Sequence, residues 1–206
     1  MSSKFAITIA RQYGSGGLPI GKKIAKDLGV HYYDKNLISL AAKESGLVKE
    51  FIEESAEKVP FRFFGGIADA IFGAFGAEYD ENINDSIFKI QSDIIRNIAQ
   101  KESAVFVGRC ADYVLREHPK CLNVFIYADM RDRVNAISSV LNIDPEKALK
   151  EIEKNDRQRN KYYAYYTNIE RGNAGYYHLC VNSSVLGIDK TADFIREFAE
   201  KKFGEK

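Results

Sequence analysis

Among the 206 residues there is no tryptophan, and there are only two methionines and three cysteines. The cysteines, Cys110, Cys121 and Cys180, are odd in number, and no two of them form a C-x-x-C motif. The sequence therefore predicts free thiols in a reducing cytoplasm rather than a disulfide framework. Three scattered histidines add too few ligands for a zinc site. The sequence therefore predicts no dedicated metal centre.

An excess of charge of one sign and long apolar runs are also missing. Thirty basic and 29 acidic side chains leave a net charge of +1, which gives no general attraction to nucleic acid or to a membrane surface. No apolar run approaches the roughly 20 residues of a membrane span, and the short run at residues 4–10 is typical of a strand rather than a secretory signal. We therefore expect a cytoplasmic protein without nucleic-acid or membrane partners.

The sequence does contain a regular alternation of short apolar segments and amphipathic segments. This alternation, about five β–α units long, predicts an α/β fold in one domain, residues 1–206, with a parallel sheet covered by helices on both faces. Ligands of such sheets bind beyond the carboxyl ends of the strands. The predicted strands are 4–10, 30–34, 103–109, 121–128 and 177–184, and the predicted helices are 18–29, 35–46, 85–101, 111–118, 129–142, 144–167 and 189–202.

Residues 47–85 interrupt this alternation. An acidic amphipathic stretch is followed by the aromatic and glycine-rich sequence VPFRFFGGIADAIFGAFG, which is too apolar to remain solvated. We expect a helical insert that either covers an acceptor molecule or forms the contact of a homodimer.

A glycine-rich segment, RQYGSGG at residues 11–17, follows the first strand and allows two registers. A literal G-x-x-x-x-G-K match runs from Gly16 to Lys22, but it is followed by Lys23 where serine or threonine is required. In the other register the helix starts near Leu18, and the apolar side chains at 20, 24 and 28 all face the sheet. The second register is favoured because it buries this apolar stripe.

In that register the backbone amides of the three glycines and the helix N-terminus are suited to bind phosphate. Gly17 stands where the lysine of a phosphate-binding loop would be, and neither Leu18 nor Pro19 supplies the hydroxyl that holds Mg²⁺. Arg11, Ser15 or Lys22 could substitute for the missing groups, and the alternative is a turn without a ligand. The predicted nucleotide-binding residues are Arg11, Gly14, Ser15, Gly16, Gly17 and Lys22.

Several phrases occur together in order: ITIARQYGSGG, YYDK, VFVGRCADYVL, IYADMRDRV, EKNDRQRNKYYAYYT and VNSSVLGID. As a set they resemble the cytidylate kinase-like family, a branch of the P-loop nucleoside monophosphate kinases, over most of the chain and least between residues 50 and 85. The resemblance implies a five-stranded parallel sheet, an acceptor-binding insert and a mobile lid, here residues 144–175. It also implies ATP as phosphoryl donor, with Mg²⁺ possible although its usual hydroxyl ligand is absent.

The resemblance also implies roles for individual residues. Arg109 resembles the arginine of a Gly-Arg-Asp phrase, with Cys110 in place of the aspartate, and Asp34 resembles the acidic residue that opens the acceptor site. Asp156 and Arg159 match a D-x-x-R phrase of the lid, where the family holds the acceptor nucleotide. The implied catalytic residues are Arg109, Asp156 and Arg159, and the implied substrate-binding residues are these three and Asp34.

The helix pattern gives independent support for the D-x-x-R pair. The buried stripe through Ala148 and Ile152 continues to Asp156, Arg159 and Tyr163, so charged side chains occupy a face that should be apolar. Such a pair suits ribose hydroxyls and phosphate oxygens, and the alternative is an i, i+3 ion pair on an exposed helix. Arg131 and Arg133 could contact a ligand or lie on a solvated helix surface. The tyrosines at 162, 163, 165 and 166 could stack on a base or serve only in packing.

Two classes of function are consistent with these patterns. The first is ATP-dependent phosphoryl transfer to a nucleoside monophosphate or a similar small acceptor, expected to be weak because of the altered loop. The second is a non-catalytic nucleotide- or anion-binding sensor, or a dimeric interaction module, on the same fold.

Overall fold

The structure, a computed structural model, describes residues 4–38 and 81–204. Its five strands are β1 (Ala6–Arg11), β2 (His31–Tyr33), β3 (Ala104–Val107), β4 (Cys121–Tyr127) and β5 (Leu179–Asn182). They pair in the order β2-β3-β1-β4-β5, and every pair is parallel. The predicted five-stranded parallel sheet is confirmed.

Six helical segments accompany the sheet: α1 (Gly17–Leu28), α2 (Glu81–Lys101), α3 (Ala111–Val114), α4 (Met130–Leu141), α5 (Pro145–Thr167) and α6 (Ser183–Phe203). A further helix begins at Lys35, of which residues 35–38 are described, and a 3-10 turn spans Ala174–Tyr176. None of the described helices is long and apolar enough to cross a membrane.

The sheet separates two apolar layers because alternate side chains of each strand point to opposite faces. Ile7 and Ile9 pack with α1 and α6 on one face, and Ala6 packs with α2 and α3 on the other. Flanking helices on both faces are therefore confirmed. The sequence produces this arrangement because its strands are apolar at nearly every position, as strands covered on both faces require.

Some element boundaries differ from the prediction. The helix predicted at 111–118 ends at Val114, and the last helix begins at Ser183 rather than 189 but is broken at Gly187, where φ is 74°. α2 extends back to Glu81, so residues 81–85 of the predicted 47–85 insert belong to it, and the remainder of that insert lies outside the described residues. The predicted homodimer contact also falls outside them.

Strand pairing determines which residues meet at the carboxyl ends of the strands, the edge where ligands of parallel sheets bind. Arg11 at the end of β1 is opposite Ile126 of β4, and on the other side Ile9 is opposite Val107, the last residue of β3. The residues that follow β1 and β3 therefore lie side by side beyond the same edge of the sheet.

Candidate functional site

The segment between β1 and α1 forms a glycine-dependent loop. Gly14 and Gly16 have φ values of 82° and 76°, a region that favours glycine, and Gly16 caps α1, whose first residue is Gly17. Ile20 and Ile24 are fully buried against the sheet. The structure thus has the register in which the helix starts near residue 18, and the literal G-x-x-x-x-G-K match has no structural counterpart.

Backbone amides of this loop are open to a ligand. Within the described part of the chain, no acceptor receives a hydrogen bond from the N–H of Gly14, Gly16 or Gly17, whereas the neighbouring N–H of Tyr13 donates to Asp156 Oδ1 at 2.9 Å. Helix N-termini leave such donors unsatisfied and favour anions there. The loop can therefore hold a phosphate group.

Ser15 and Lys22 have other local roles. The buried Ser15 hydroxyl lies 2.9 Å from the Gln12 carbonyl and 3.2 Å from that of Ile126, so it fastens the loop to β4. Lys22 is exposed, and its Nζ lies 5.7 Å from the centroid of the Tyr32 ring. Their part in nucleotide binding stays a prediction, and any contribution from Ser15 would come from its backbone.

Beside the loop is a cavity of about 590 Å³, which we call the loop cavity. Loop residues 12–19 form one wall, Ile137 and Val140 of α4 a second, and Gly187 and Ile188 of α6 a third. Leu18, Val140 and Ile188 are large apolar side chains that remain exposed here. An apolar slot next to free loop amides suits a planar base attached to phosphates.

A second cavity, of about 160 Å³, lies between the ends of β1 and β3 and the helix α5, and we call it the arginine cavity. Arg109 and Arg159, both predicted site residues, are brought together here. Among the described lining residues the single carboxylate is Asp112, which accepts a hydrogen bond from the Tyr163 hydroxyl at 2.7 Å. Its five basic lining residues are Arg11, Lys35, Arg109, Arg159 and Arg171.

The clustering of these cations is visible in their acid–base properties. Burial, followed by repulsion from Arg159 and Arg171, lowers the pKa of Arg11 to about 9. Burial and the charge of Arg171 lower the pKa of Arg159 to about 10, and burial lowers the pKa of Arg171 and Lys35. A bound anion would relieve the repulsion, so the cavity is suited to phosphate.

Asp156 connects helix α5 to the loop. One of its oxygens accepts the hydrogen bond from the Tyr13 N–H, and the carboxylate forms ion pairs with Arg133 and Arg171. Arg133 is almost fully buried, and its Nε donates to the Tyr13 carbonyl at 2.8 Å. Both backbone groups of Tyr13 are thus held by hydrogen bonds, which fixes the start of the glycine loop.

Asp34 serves as a helix cap. Its Oδ1 accepts hydrogen bonds from the N–H groups of Asn36 and Leu37, at 3.0 Å and 3.2 Å, and so caps the helix that begins at Lys35. It lines neither the loop cavity nor the arginine cavity. Its role in acceptor binding stays a prediction.

Sequence reasoning did not single out Arg171 and left Arg133 undecided. Arg171 donates to the Arg11 carbonyl at 2.6 Å and to Asn160 Oδ1 at 2.9 Å, across 160 and 11 residues respectively. The position after the D-x-x-R helix, in the sequence NIERGNAG, carries no periodic signal for such contacts. The lid region implied by the family resemblance, residues 144–175, includes Arg171, but the resemblance assigned this residue no role.

The loop does not supply the magnesium ligand of an ordinary phosphate-binding loop. Leu18 stands where the metal-binding hydroxyl would be, Ser15 is turned toward carbonyl groups, and Asp156 is occupied by arginines and an amide. No group of three acidic, histidine or cysteine side chains in residues 4–38 and 81–204 could hold a metal. We therefore assign no step of the chemistry to Mg²⁺.

A valine in place of Gly16 tests the loop. The change forces a β-branched residue into φ 76° and places its Cβ 2.1 Å from Ile188 Cδ1, so we expect the loop to move and anion binding to be lost. Gly29→Val is the matched control, because Gly29 has φ 64° with open space around it, away from the loop. The measurement is the rise in Tm caused by ATP or inorganic phosphate. A Gly16→Val protein that retains the full rise contradicts the assignment.

Comparisons with known proteins identify the family and the fold. Residues 6–185 match the cytidylate kinase-like family. A cytidylate kinase of Aeropyrum pernix is 26% identical over 191 residues, covering 92% of this chain and 95% of that protein. An uncharacterized protein of Eubacterium ventriosum superposes with a TM-score of 0.73 at 24% identity, covering 96% and 99% of the two chains. Shikimate kinase of Bacteroides thetaiotaomicron shares the fold at a TM-score of 0.53 and 13% identity, with coverage of 96% and 99%. Because the family match spans most of the chain, including the loop, the arginine cavity and helix α5, the protein belongs to the cytidylate kinase-like family.

Proposed function

We propose that the protein binds a nucleoside triphosphate at the loop and transfers its terminal phosphoryl group to a phosphate-bearing acceptor in the arginine cavity. The observation that carries this proposal is the position of Arg11 and Arg159, which line both cavities. A phosphoryl group leaving a donor in the loop cavity would pass these two cations on its way to the acceptor. Positioning and charge stabilisation of this kind are what phosphoryl transfer requires of a protein.

The lining of the arginine cavity favours an acceptor whose attacking oxygen is already an anion. A hydroxyl acceptor needs a base to remove its proton. Asp112, the single carboxylate among the described lining residues, is buried and hydrogen-bonded to Tyr163. A phosphate monoester has its second pKa near 6 and is largely dianionic at neutral pH, so it needs no base. A nucleoside monophosphate, the acceptor class of the cytidylate kinase relative, meets this requirement.

In the proposed step, an oxygen of the acceptor phosphate forms a bond to the γ-phosphorus. The bond between that phosphorus and the β–γ bridging oxygen breaks, and its electron pair leaves with the nucleoside diphosphate. No proton transfer is needed at neutral pH. Arg11 and Arg159 lie where they would stabilise the charge on the transferred group and on the leaving oxygen.

A second candidate function is a nucleotide sensor without transfer. Gly17 and Leu18, which stand where the loop lysine and the metal-binding hydroxyl would be, favour it. In that case the two cavities would bind nucleotide and couple its presence to another process.

Two measurements on the wild-type protein separate these functions. The first is the Tm with ATP, GTP or CTP, each in Mg²⁺ and in EDTA. A ligand at 100 times its Kd stabilises by about 2.7 kcal/mol, which for a chain of this size raises the Tm by roughly 5–10 °C. The second is ATP consumption with CMP, UMP, AMP or, as a hydroxyl acceptor, shikimate. We expect transfer to a monophosphate and none to shikimate.

Gly16→Val serves as the negative control in both measurements, because we expect it to lose nucleotide binding. Gly29→Val is the matched control, which should retain it. Nucleotide binding without transfer to any acceptor supports the sensor. No binding of any nucleotide contradicts both functions.

A further inference from the structure

The register of the loop shows that two residue types have exchanged places. With Gly16 as the last glycine before α1, the pattern G-x-x-x-x-G-K would put its first glycine at residue 11 and its lysine at residue 17. This chain has Arg11 and Gly17 at those positions. The cation and the glycine are both present, in reversed order.

Steric contacts explain why an arginine at position 11 requires a glycine at position 17. A Cβ on Gly17 would lie 2.7 Å from Arg11 Cγ and 2.8 Å from Arg11 Cβ, closer than real Cβ contacts allow. The Arg11 side chain therefore crosses the space that a residue-17 side chain would need. On its far side, a Cβ on Gly108 would lie 2.1 Å from Arg11 Nη1, so this guanidinium lies directly against a second glycine.

The position of Arg11 suits contact with donor phosphates. The residue lines both the loop cavity and the arginine cavity, next to the free amides of the loop. Its backbone is fixed, because the Arg11 carbonyl accepts hydrogen bonds from Arg159 and Arg171. The other basic candidate, Lys22, lies over Tyr32 and lines neither cavity.

We propose that Arg11 supplies, from the end of β1, the positive charge that a lysine at position 17 would direct at the β- and γ-phosphates of the donor. The planar guanidinium can donate to two phosphate oxygens at once, which a lysine cannot do. This inference rests on the proposed binding of a nucleoside triphosphate at the loop.

The test reverses the exchange. Arg11→Gly, Gly17→Lys and the double variant are compared with wild type for the Kd of ATP by calorimetry. The partner change at residue 11 must be glycine, because the Cβ of alanine would still approach the introduced lysine side chain too closely. A charged hydrogen bond of 1.5–3 kcal/mol corresponds to roughly 10–150-fold in Kd. We expect each single variant to bind ATP at least about 10-fold more weakly and the double variant to recover most of that loss.

Two simpler variants keep the proposal testable if the double variant does not fold. Arg11→Met removes the charge and should weaken ATP binding about 10-fold or more, whereas Arg11→Lys should retain most of the affinity. Lys26→Met, an exposed change at the far end of α1, is the charge-matched control and should leave the Kd unchanged.

An Arg11→Met protein that binds ATP as tightly as wild type would overturn the inference. So would a folded double variant that binds no better than Arg11→Gly, with folding checked by circular dichroism and by the Tm without ligand. Measurements on the wild-type protein in the same series distinguish a failure of this inference from a failure of the proposed function. If wild type binds ATP and transfers phosphate while Arg11→Met matches it, the inference alone fails; if wild type does not bind ATP, the proposed function fails.

Discussion

Asp156→Ala is expected to lower the free energy of unfolding by about 3 kcal/mol, the typical cost of removing one partner of a buried ion pair. The reason is that Arg133, only 3% exposed, would lose its carboxylate, and the Tyr13 N–H would lose its acceptor. For a chain of this length, this corresponds to a fall in Tm of roughly 6–12 °C. Because Tyr13 precedes the loop glycines, we also expect the Kd for ATP to rise by at least about 10-fold.

Two control variants test whether the lost ion pair causes these effects of Asp156→Ala. Glu153→Ala removes an exposed carboxylate from the same helix and should change stability by no more than about 0.5 kcal/mol. The double variant Arg133→Met/Asp156→Ala removes both charges, so it should regain about 1 kcal/mol or more of stability relative to Asp156→Ala without regaining ATP affinity. Thermal unfolding and calorimetry measure the two effects. A Tm within about 1 °C of wild type for Asp156→Ala would show that the ion pair does not hold the loop.

Arg159→Ala is expected to reduce turnover about 1,000-fold, within the range for arginines that stabilise transferring phosphoryl groups. Arg159 lines both cavities, donates to the Arg11 carbonyl at 3.3 Å and lies with its guanidinium carbon 5.1 Å from the centroid of the Tyr13 ring. Its charge is therefore placed where negative charge develops between donor and acceptor. The Kd of ATP alone should rise less than about 10-fold, since the loop amides and Arg11 remain.

Arg157→Ala is the matched control, because it removes an exposed arginine two positions away on the same helix. It changes the net charge equally but leaves the cavities intact, so kcat and Kd should stay within about 2-fold of wild type. Steady-state ATP consumption with the best monophosphate gives kcat, and calorimetry gives Kd. Equal losses of kcat and ATP affinity in Arg159→Ala would assign this residue to donor binding instead of the transfer step.

Patterns within short segments predicted most of the fold. The four-residue spacing of Ile20, Ile24 and Leu28 by itself selects the register of the loop, and Ile20 and Ile24 are indeed fully buried. The predicted start of a helix at residue 144 is a second example, since Asp144 caps α5 by accepting a hydrogen bond from the Lys147 N–H. Such patterns succeed because the contacts they encode lie within one or two turns of the same element.

Predictions about individual polar side chains needed more than a local pattern. Asp129 stands at the N-cap position of α4, but its side chain makes no capping hydrogen bond, and its Oδ1 accepts a hydrogen bond from Asn182 Nδ2. Charged residues were expected on the buried face of α5, and the structure places Asp156 and Arg159 there. From the sequence, ribose hydroxyls and phosphate oxygens were the expected partners of this pair. In the structure, Asp156 instead contacts Arg133, Arg171 and the Tyr13 amide.

The sequence by itself determined the order of strands and helices, the position of the glycine loop and the cation and glycine available at residues 11 and 17. Only the tertiary structure decided that Arg11, Arg109, Arg159 and Arg171 meet in one cavity. Parallel pairing places the ends of β1 and β3 side by side although almost 100 residues separate them, and Arg159 of α5 donates a hydrogen bond to the Arg11 carbonyl at this edge. No local pattern encodes that convergence, because the four arginines belong to segments that lie far apart in the sequence.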